Sequence, residues 1–214
     1  MTRIALIHAL AESVAPINTA LARDWPQAQR MNLLDDSLSA DLARTGAADD
    51  TMTQRFITLG DYAVAHGADA LLFTCSAFGP CIAAVARRLA PRPVLRPNEA
   101  MVDDAVAQAA GGPIGLVASF APTLQSMPAE FPREQALHTA LADGALAALQ
   151  AGDGAAHDRL AAAAAVALAR RGCVVIALAQ FSLARARDAV AAATGLPVLT
   201  TVDSAVARLR ARLA

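Results

Sequence analysis

Hydrophobic positions along this chain come in short unbroken runs separated by longer stretches in which apolar residues recur at helical spacing. Ile4–Ile7, Ala70–Phe73, Ile114–Ala118 and Val174–Leu178 are four or five residues long, rich in branched side chains and uninterrupted by charge. Such runs predict parallel strands buried on both faces. Arg30–Leu34 and the pair Val94-Leu95 add two more. Between them, Met52, Phe56, Leu59, Tyr62 and Ala63 follow a 3.6-residue period over Asp49–His66, and Gly67 is placed to cap that helix. Pro16 suits the first turn of a helix carrying Leu21. Further helices are expected through Leu89 and over Glu99–Ala109, Ala140–Gln150, Ala155–Arg171 and Ser204–Ala214. Pro122 and Pro128 between Phe120 and Phe131, with Pro132 just beyond, predict an irregular loop. Strand alternating with helix throughout predicts an α/β protein with helix-covered parallel sheets.

The pattern also repeats. Gly67, the run Ala70–Phe73, Thr74-Cys75-Ser76, an Ala-rich helix and Pro93-Val94-Leu95 are echoed by Gly172, Val174–Leu178, Ala179-Gln180-Phe181, a second Ala-rich helix and Pro197-Val198-Leu199. The echo predicts two similar Rossmann-like lobes, pseudo-twofold related, with two half-sites facing one cleft. The expected boundaries are 1–97 and 98–203, with the final helix, 204–214, packing back on the first lobe. In this alignment Cys75 and Gln180 are equivalent.

Composition narrows the chemistry. All 18 basic residues are arginine; without lysine there is no Schiff base, no lysine-held pyridoxal phosphate and no P-loop lysine. A net charge of −1 with scattered arginines gives no footprint for nucleic acid or an anionic membrane. Three cysteines without a Cys-x-x-Cys spacing predict free thiols and a cytoplasmic protein. The longest charge-free stretch, Ala105–Ala129, is broken by glycines and prolines and does not read as a membrane span. Neither does the short apolar run at the start read as a signal peptide. No metal-ligand spacing occurs, so no metal or cofactor is expected. Ala-rich helices with few charges offer surfaces for a homo-oligomer.

Ligands of open α/β sheets bind beyond the carboxyl ends of the strands. Thr74, Cys75 and Ser76 fall there, and a thiol at a helix start is expected to have a lowered pKa and to serve as base or nucleophile. Cys81, on the following helix, reads as structural. Cys173 lies at the wrong end of its strand, roughly 20 Å from position 180 at about 3.3 Å per residue. Ser119 and Thr123, after the strand Ile114–Ala118, could hold a carboxylate or cap a helix, with equal support. His8 ends the first strand and could enter the same cleft or be a satisfied structural histidine; Asn18 and Glu12 lie near it. His66, His138 and His157 are isolated.

The opening strand Ile4-Ala-Leu-Ile-His8, the thiol turn Phe73-Thr-Cys-Ser-Ala-Phe-Gly79, the strand Ile114-Gly-Leu-Val-Ala-Ser119 with Thr123, and Val174-Val-Ile-Ala-Leu-Ala-Gln180 together resemble the aspartate/glutamate racemase superfamily, which includes hydantoin racemase, maleate cis-trans isomerase and arylmalonate decarboxylase. The resemblance spans nearly the whole chain and implies two α/β lobes, a cleft, and cofactor-independent chemistry at a carbon next to a carboxylate or carbonyl of a small acid. In the family's racemases a cysteine from each lobe flanks the substrate. Cys75 matches the first; the second position is Gln180, whose amide cannot exchange a proton usefully at neutral pH. The expectation is a single-thiol isomerase or racemase using Cys75, with Thr74, Ser76, Ser119, Thr123, Gln180 and His8 binding substrate. Alternatives are a decarboxylase with Cys75 as proton donor, a non-catalytic cleft for a small acid, and a cysteine hydrolase pairing Cys75 with His8.

Overall fold

A computed structural model describes residues 1–213. It divides the chain into two compact units, 1–97 with 205 onward, and 98–204.

The first unit contains β1 (Arg3–His8), α1 (Val14–Asp24), β2 (Gln29–Leu34), α2 (Ser37–Thr45), α3 (Asp50–Ala65), β3 (Ala70–Phe73), α4 (Gly79–Leu89) and β4 (Val94–Leu95). Its four strands are parallel in the order β2-β1-β3-β4. Every residue of β3, and Ile4 to His8 of β1, is buried, as central strands covered on both faces require. β2 lies at the edge and alternates exposed with half-buried positions. Asp49 caps α3 by accepting the Met52 N–H at 2.8 Å, and Gly67 follows its C-terminus at φ +81°. Gly60 of α3 faces α4 so closely that a β-carbon there would sit 2.8 Å from Val85 Cγ1. Phe56 packs on Phe73 and Phe78 with ring centroids 5.4 and 4.9 Å apart, anchoring both ends of the turn that carries Cys75.

The second unit contains α5 (Glu99–Ala109), β5 (Ile114–Ala118), α6 (Ala121–Ser126), β6 (Leu137–Leu141), α7 (Ala145–Gln150), α8 (Gly154–Ala169), β7 (Val175–Leu178), α9 (Arg187–Thr194) and β8 (Val198–Thr200). Its strand order, β6-β5-β7-β8, is that of the first unit. Alternate residues of its strands feed two apolar clusters. Leu116, Val175 and Ala177 join Met101, Val102 and Ala105 of α5, whereas Val117, Ile176 and Leu178 join Ala161, Ala165 and Leu168 of α8. Gly172, at φ +84°, repeats the role of Gly67. The last helix, α10 (Thr201–Leu213), begins in this unit.

Two expectations are corrected, and one helix lies outside them. The stretch from Phe120 to Phe131 is α6 followed by a 3-10 turn, Met127–Glu130, because Pro122 and Pro128 each fall in a first turn where no N–H is needed. The helix expected from Ala140 starts at Ala145; before it, Leu137–Leu141 is an edge strand whose half-exposed pattern lacks the unbroken apolar run of a central one. Ser37–Thr45, with three polar or charged residues among its first five, forms a helix that the pattern of apolar runs did not mark. Among the described residues no helix is long and apolar enough to cross a membrane.

Candidate active site

Thr74, Cys75 and Ser76 stand at the carboxyl end of β3, the first two in line with the end of β1. The Thr74 N–H donates to the Ile7 carbonyl at 3.0 Å, which closes the ladder and leaves Cys75 as the first residue beyond it. Cys75 is in extended backbone (φ −126°, ψ 120°) and precedes a single 3-10 turn, Ser76–Phe78. Helix α4 begins only at Gly79. Its dipole acts within about one turn, so little of it reaches the sulfur. Cys75 packs against the apolar cluster of Leu38, Phe56 and Phe73, and with Ile7, His8 and Ala9 these residues enclose a small void. Burial therefore pushes the thiol up, against a smaller opposing effect of a backbone hydrogen bond from Ala77. The lowered pKa expected of a helix-start thiol is thus corrected: at neutral pH Cys75 is a thiol. It is also only half-buried, unlike Cys81 and Cys173, which lie in the interior. Cys81 meets Thr53 Oγ1 at 3.4 Å.

His8 is fully buried, and its two ring nitrogens are both engaged: Nδ1 lies 2.9 Å from Thr74 Oγ1 and Nε2 lies 3.1 Å from Asn32 Oδ1. The tautomer follows from a chain of partners. Asn18 Nδ2 donates to the Val14 carbonyl at 2.8 Å, which fixes that amide's orientation, and the same nitrogen donates to Asn32 Oδ1 at 2.8 Å. Asn32 therefore presents its oxygen to His8, Nε2 carries the proton, and Nδ1 accepts from the Thr74 hydroxyl. The competing acceptor for that hydroxyl, the Ile7 carbonyl, is farther, at 3.4 Å. Burial holds His8 below the ordinary histidine value, with the Asn32 contact opposing it. A neutral imidazole committed on both sides orients Thr74 and does not serve Cys75 as a base, which removes the support for a Cys75–His8 hydrolase.

The second unit repeats the backbone and changes the side chains. Ala179 N–H donates to the Val117 carbonyl at 2.9 Å, the counterpart of Thr74 on Ile7, and Gln180 follows in extended backbone (φ −134°, ψ 149°) before the 3-10 turn Phe181–Ala186. Gln180 Oε1 accepts from Ser119 N–H at 2.7 Å and Ser119 Oγ at 3.1 Å, while Nε2 donates to Thr123 Oγ1 at 3.2 Å. Ser119, Thr123 and Gln180 are thus brought together. Both Ser119 donors are spent on the Gln180 amide oxygen rather than held open for a carboxylate, and Thr123 Oγ1 accepts from the amide nitrogen. By register, His8 corresponds to Ala118 and Ala9 to Ser119. The polar pair across the strand ends is therefore His8 with Thr74 in one unit and, one residue farther on, Ser119 with Gln180 in the other.

A family comparison identifies what carries this layout. Residues 11–209 match the profile of the Asp/Glu/hydantoin racemases. The chain belongs to that family. Racemases of three specificities share its fold. A glutamate racemase from Bacillus anthracis superposes with a TM-score of 0.75 at 13% identity, covering 99% of this chain and 81% of that one. An allantoin racemase from Klebsiella pneumoniae gives 0.74 at 19%, covering 99% and 87%. The aspartate racemase of Picrophilus torridus gives 0.75 at 10%, covering 99% and 94%. No curated protein matches the chain in sequence.

Two residues at these strand ends were not singled out from sequence. Asn32, from the edge strand β2, sets the His8 tautomer; the available signal was a polar amide inside a strand, where asparagine is disfavoured. Ala9 left none. Ser76 is half-buried in the turn after Cys75, and Glu12 is half-buried in a 3-10 turn beyond β1. His66 stacks on Tyr62, His157 pairs with Asp158 and His138 with Arg171.

Proposed function

We propose that the protein is a cofactor-independent isomerase or racemase-type enzyme acting at the carbon next to a carboxylate or carbonyl of a small acid, with Cys75 as its single reacting thiol. The observation that carries this reading is the placement of Cys75. It is the one cysteine of three outside the packed interior, and it sits at the strand end of a racemase-family unit. Ser76 and neighbouring backbone N–H groups are the donors suited to hold the substrate's carboxylate and to stabilise negative charge developing at its oxygen, whereas Thr74, whose hydroxyl donates to His8 Nδ1, meets the substrate with an acceptor oxygen. His8 and Asn32 position Thr74. Ser119, Thr123 and Gln180 are the candidate substrate-binding residues of the second unit. The cytoplasm would keep the three free thiols reduced.

In proton exchange, the thiolate fraction of Cys75 takes the α-proton, the electron pair of that C–H bond moves into an enolate, and the thiol so formed returns a proton to carbon. Gln180, at the equivalent backbone position of the second unit, is an amide that exchanges no proton usefully at neutral pH. The protonated resting state of Cys75 supports a second reading, a decarboxylase. There, carbon dioxide leaves, the C–C electron pair remains as an enolate, Cys75 S–H protonates the carbon, and water reprotonates the thiolate.

The two readings separate on product. Purified protein is incubated with aspartate, glutamate, a hydantoin, maleate and a 2-aryl malonate, and products are followed by NMR and chiral chromatography. Conversion of stereoisomers or of maleate supports the isomerase. Loss of carbon dioxide to one enantiomer of a monoacid supports the lyase. No turnover of any of the five, with binding retained, contradicts both.

A further inference from the structure

Gln180 seats its carboxamide among the hydrogen-bonding groups of Ser119 and Thr123. Two donors from one residue, the backbone N–H and the hydroxyl of Ser119, converge on a single acceptor atom at 2.7 and 3.1 Å, and Ser119 and Thr123 are both buried. Because Ser119 N–H can only donate, the atom facing it must be the amide oxygen, so the orientation of the carboxamide is fixed. The other end of the amide is held by Thr123 Oγ1 at 3.2 Å. Donors that converge on one atom favour an acceptor with negative charge. A carboxylate oxygen would make charge-assisted bonds roughly twice as strong as the neutral amide does. The amide wins by being attached.

We propose that Gln180 is a specificity-determining residue: its carboxamide fills the Ser119/Thr123 donor pocket and excludes a substrate carboxylate from the second unit. The proposal rests on the reading of the chain as an enzyme of small acids for the identity of the ligand. Its consequence is that the second unit takes up an anion only when the amide is displaced or removed. At the equivalent place in the first unit Ala9 faces Cys75 and no polar pair forms, so the block belongs to the second unit alone.

The test needs no turnover. Malonate, a dicarboxylate, is titrated into 15N-labelled wild type and Gln180→Ala, and the Ser119 amide resonance is followed. The proposal expects that resonance to shift on removal of the Gln180 side chain, and malonate to move it in the variant with an affinity at least about tenfold tighter than in wild type. Equal malonate affinities in the two proteins would overturn it. Gln180→Glu tests the pocket without emptying it. Two converging donors should hold the new carboxyl well below the ordinary glutamate value, read from its side-chain carbon shift against pH. An ordinary or raised value would mean that the pocket does not favour an anion, and would overturn the proposal independently. Loss of Cys75-dependent turnover would leave both readouts untouched, so failure of the enzyme reading and failure of this one are distinguishable.

Discussion

Cys75 and Gln180 hold the same backbone position in their respective units: each is the second residue past the third strand of its sheet, extended, and immediately before a 3-10 turn. One unit presents a half-buried thiol at this position. The other presents an amide already bound to its own neighbours. A chain with a thiol at only one of two equivalent positions is expected to exchange protons from one side, and the predictions below follow from how each position is built.

Cys75 should be the one cysteine that reacts in the native state, and slowly. Cys81 and Cys173 are buried, and burial keeps the Cys75 thiol protonated at neutral pH. Iodoacetamide followed by peptide mass analysis is expected to label Cys75 alone, at a rate that climbs with pH through and beyond the ordinary thiol range. Fast labelling at neutral pH would contradict the raised value.

Removing the Thr74 hydroxyl should cost stability as well as function. Thr74→Val leaves His8 Nδ1 without its donor in a buried site, for which a loss of about 1–3 kcal/mol is expected in urea denaturation. Thr74→Ser keeps the hydroxyl and should recover most of it. Equal losses in the two variants would mean that the methyl group, not the hydrogen bond, matters.

Stability should fall with acid in two steps. His8 is held below the ordinary histidine value, so the unfolded chain takes up this proton first as pH falls. The stabilisation is complete above the ordinary value and is lost as pH falls from there through the folded one. Asp35, Asp158 and other aspartates bound by arginine are also depressed, and their contribution is lost in a separate, lower window. For Cys75 the sign reverses: stability is complete below the ordinary thiol value and lost as pH rises through the raised one. Denaturation midpoints against pH should show the upper acid step diminish in His8→Gln.

Gly60→Ala should destabilise the first unit. Alanine would gain about 1 kcal/mol of helix propensity in α3, but its methyl group would stand 2.8 Å from Val85 Cγ1. Overpacking of this kind costs about 1–3 kcal/mol, so the net effect is a loss, measured by thermal or urea unfolding.

What was legible in the sequence follows from burial. Central strands are apolar on both faces, and their runs, Ile4–Ile7, Ala70–Phe73 and Ile114–Ala118, announce themselves. The edge strand Leu137–Leu141 is half-exposed, carries His138 and Thr139 among its apolar residues, and reads like helix or loop until it is seen hydrogen-bonded to β5. The repeat placed Cys75 opposite Gln180 because capping glycines and strand lengths survive in both copies. It could not show the contacts those side chains make. Thr123 reaches Gln180 across 57 residues and Asn32 reaches His8 across 24, and neither separation leaves a local pattern. The Cys75 thiol was misjudged for a related reason: a helix start is visible in sequence, whereas the 3-10 turn that holds α4 away from the sulfur, and the phenylalanines that bury it, appear only in the fold.

The central claim is that Cys75 carries the chemistry. The most direct measurement is proton NMR in deuterated water, following deuterium entry at the substrate's α-carbon, or into the product of maleate or malonate conversion, for wild type and Cys75→Ser. The account predicts incorporation by wild type and none above background in Cys75→Ser, with the variant folded by its amide spectrum. Undiminished incorporation in Cys75→Ser would contradict it.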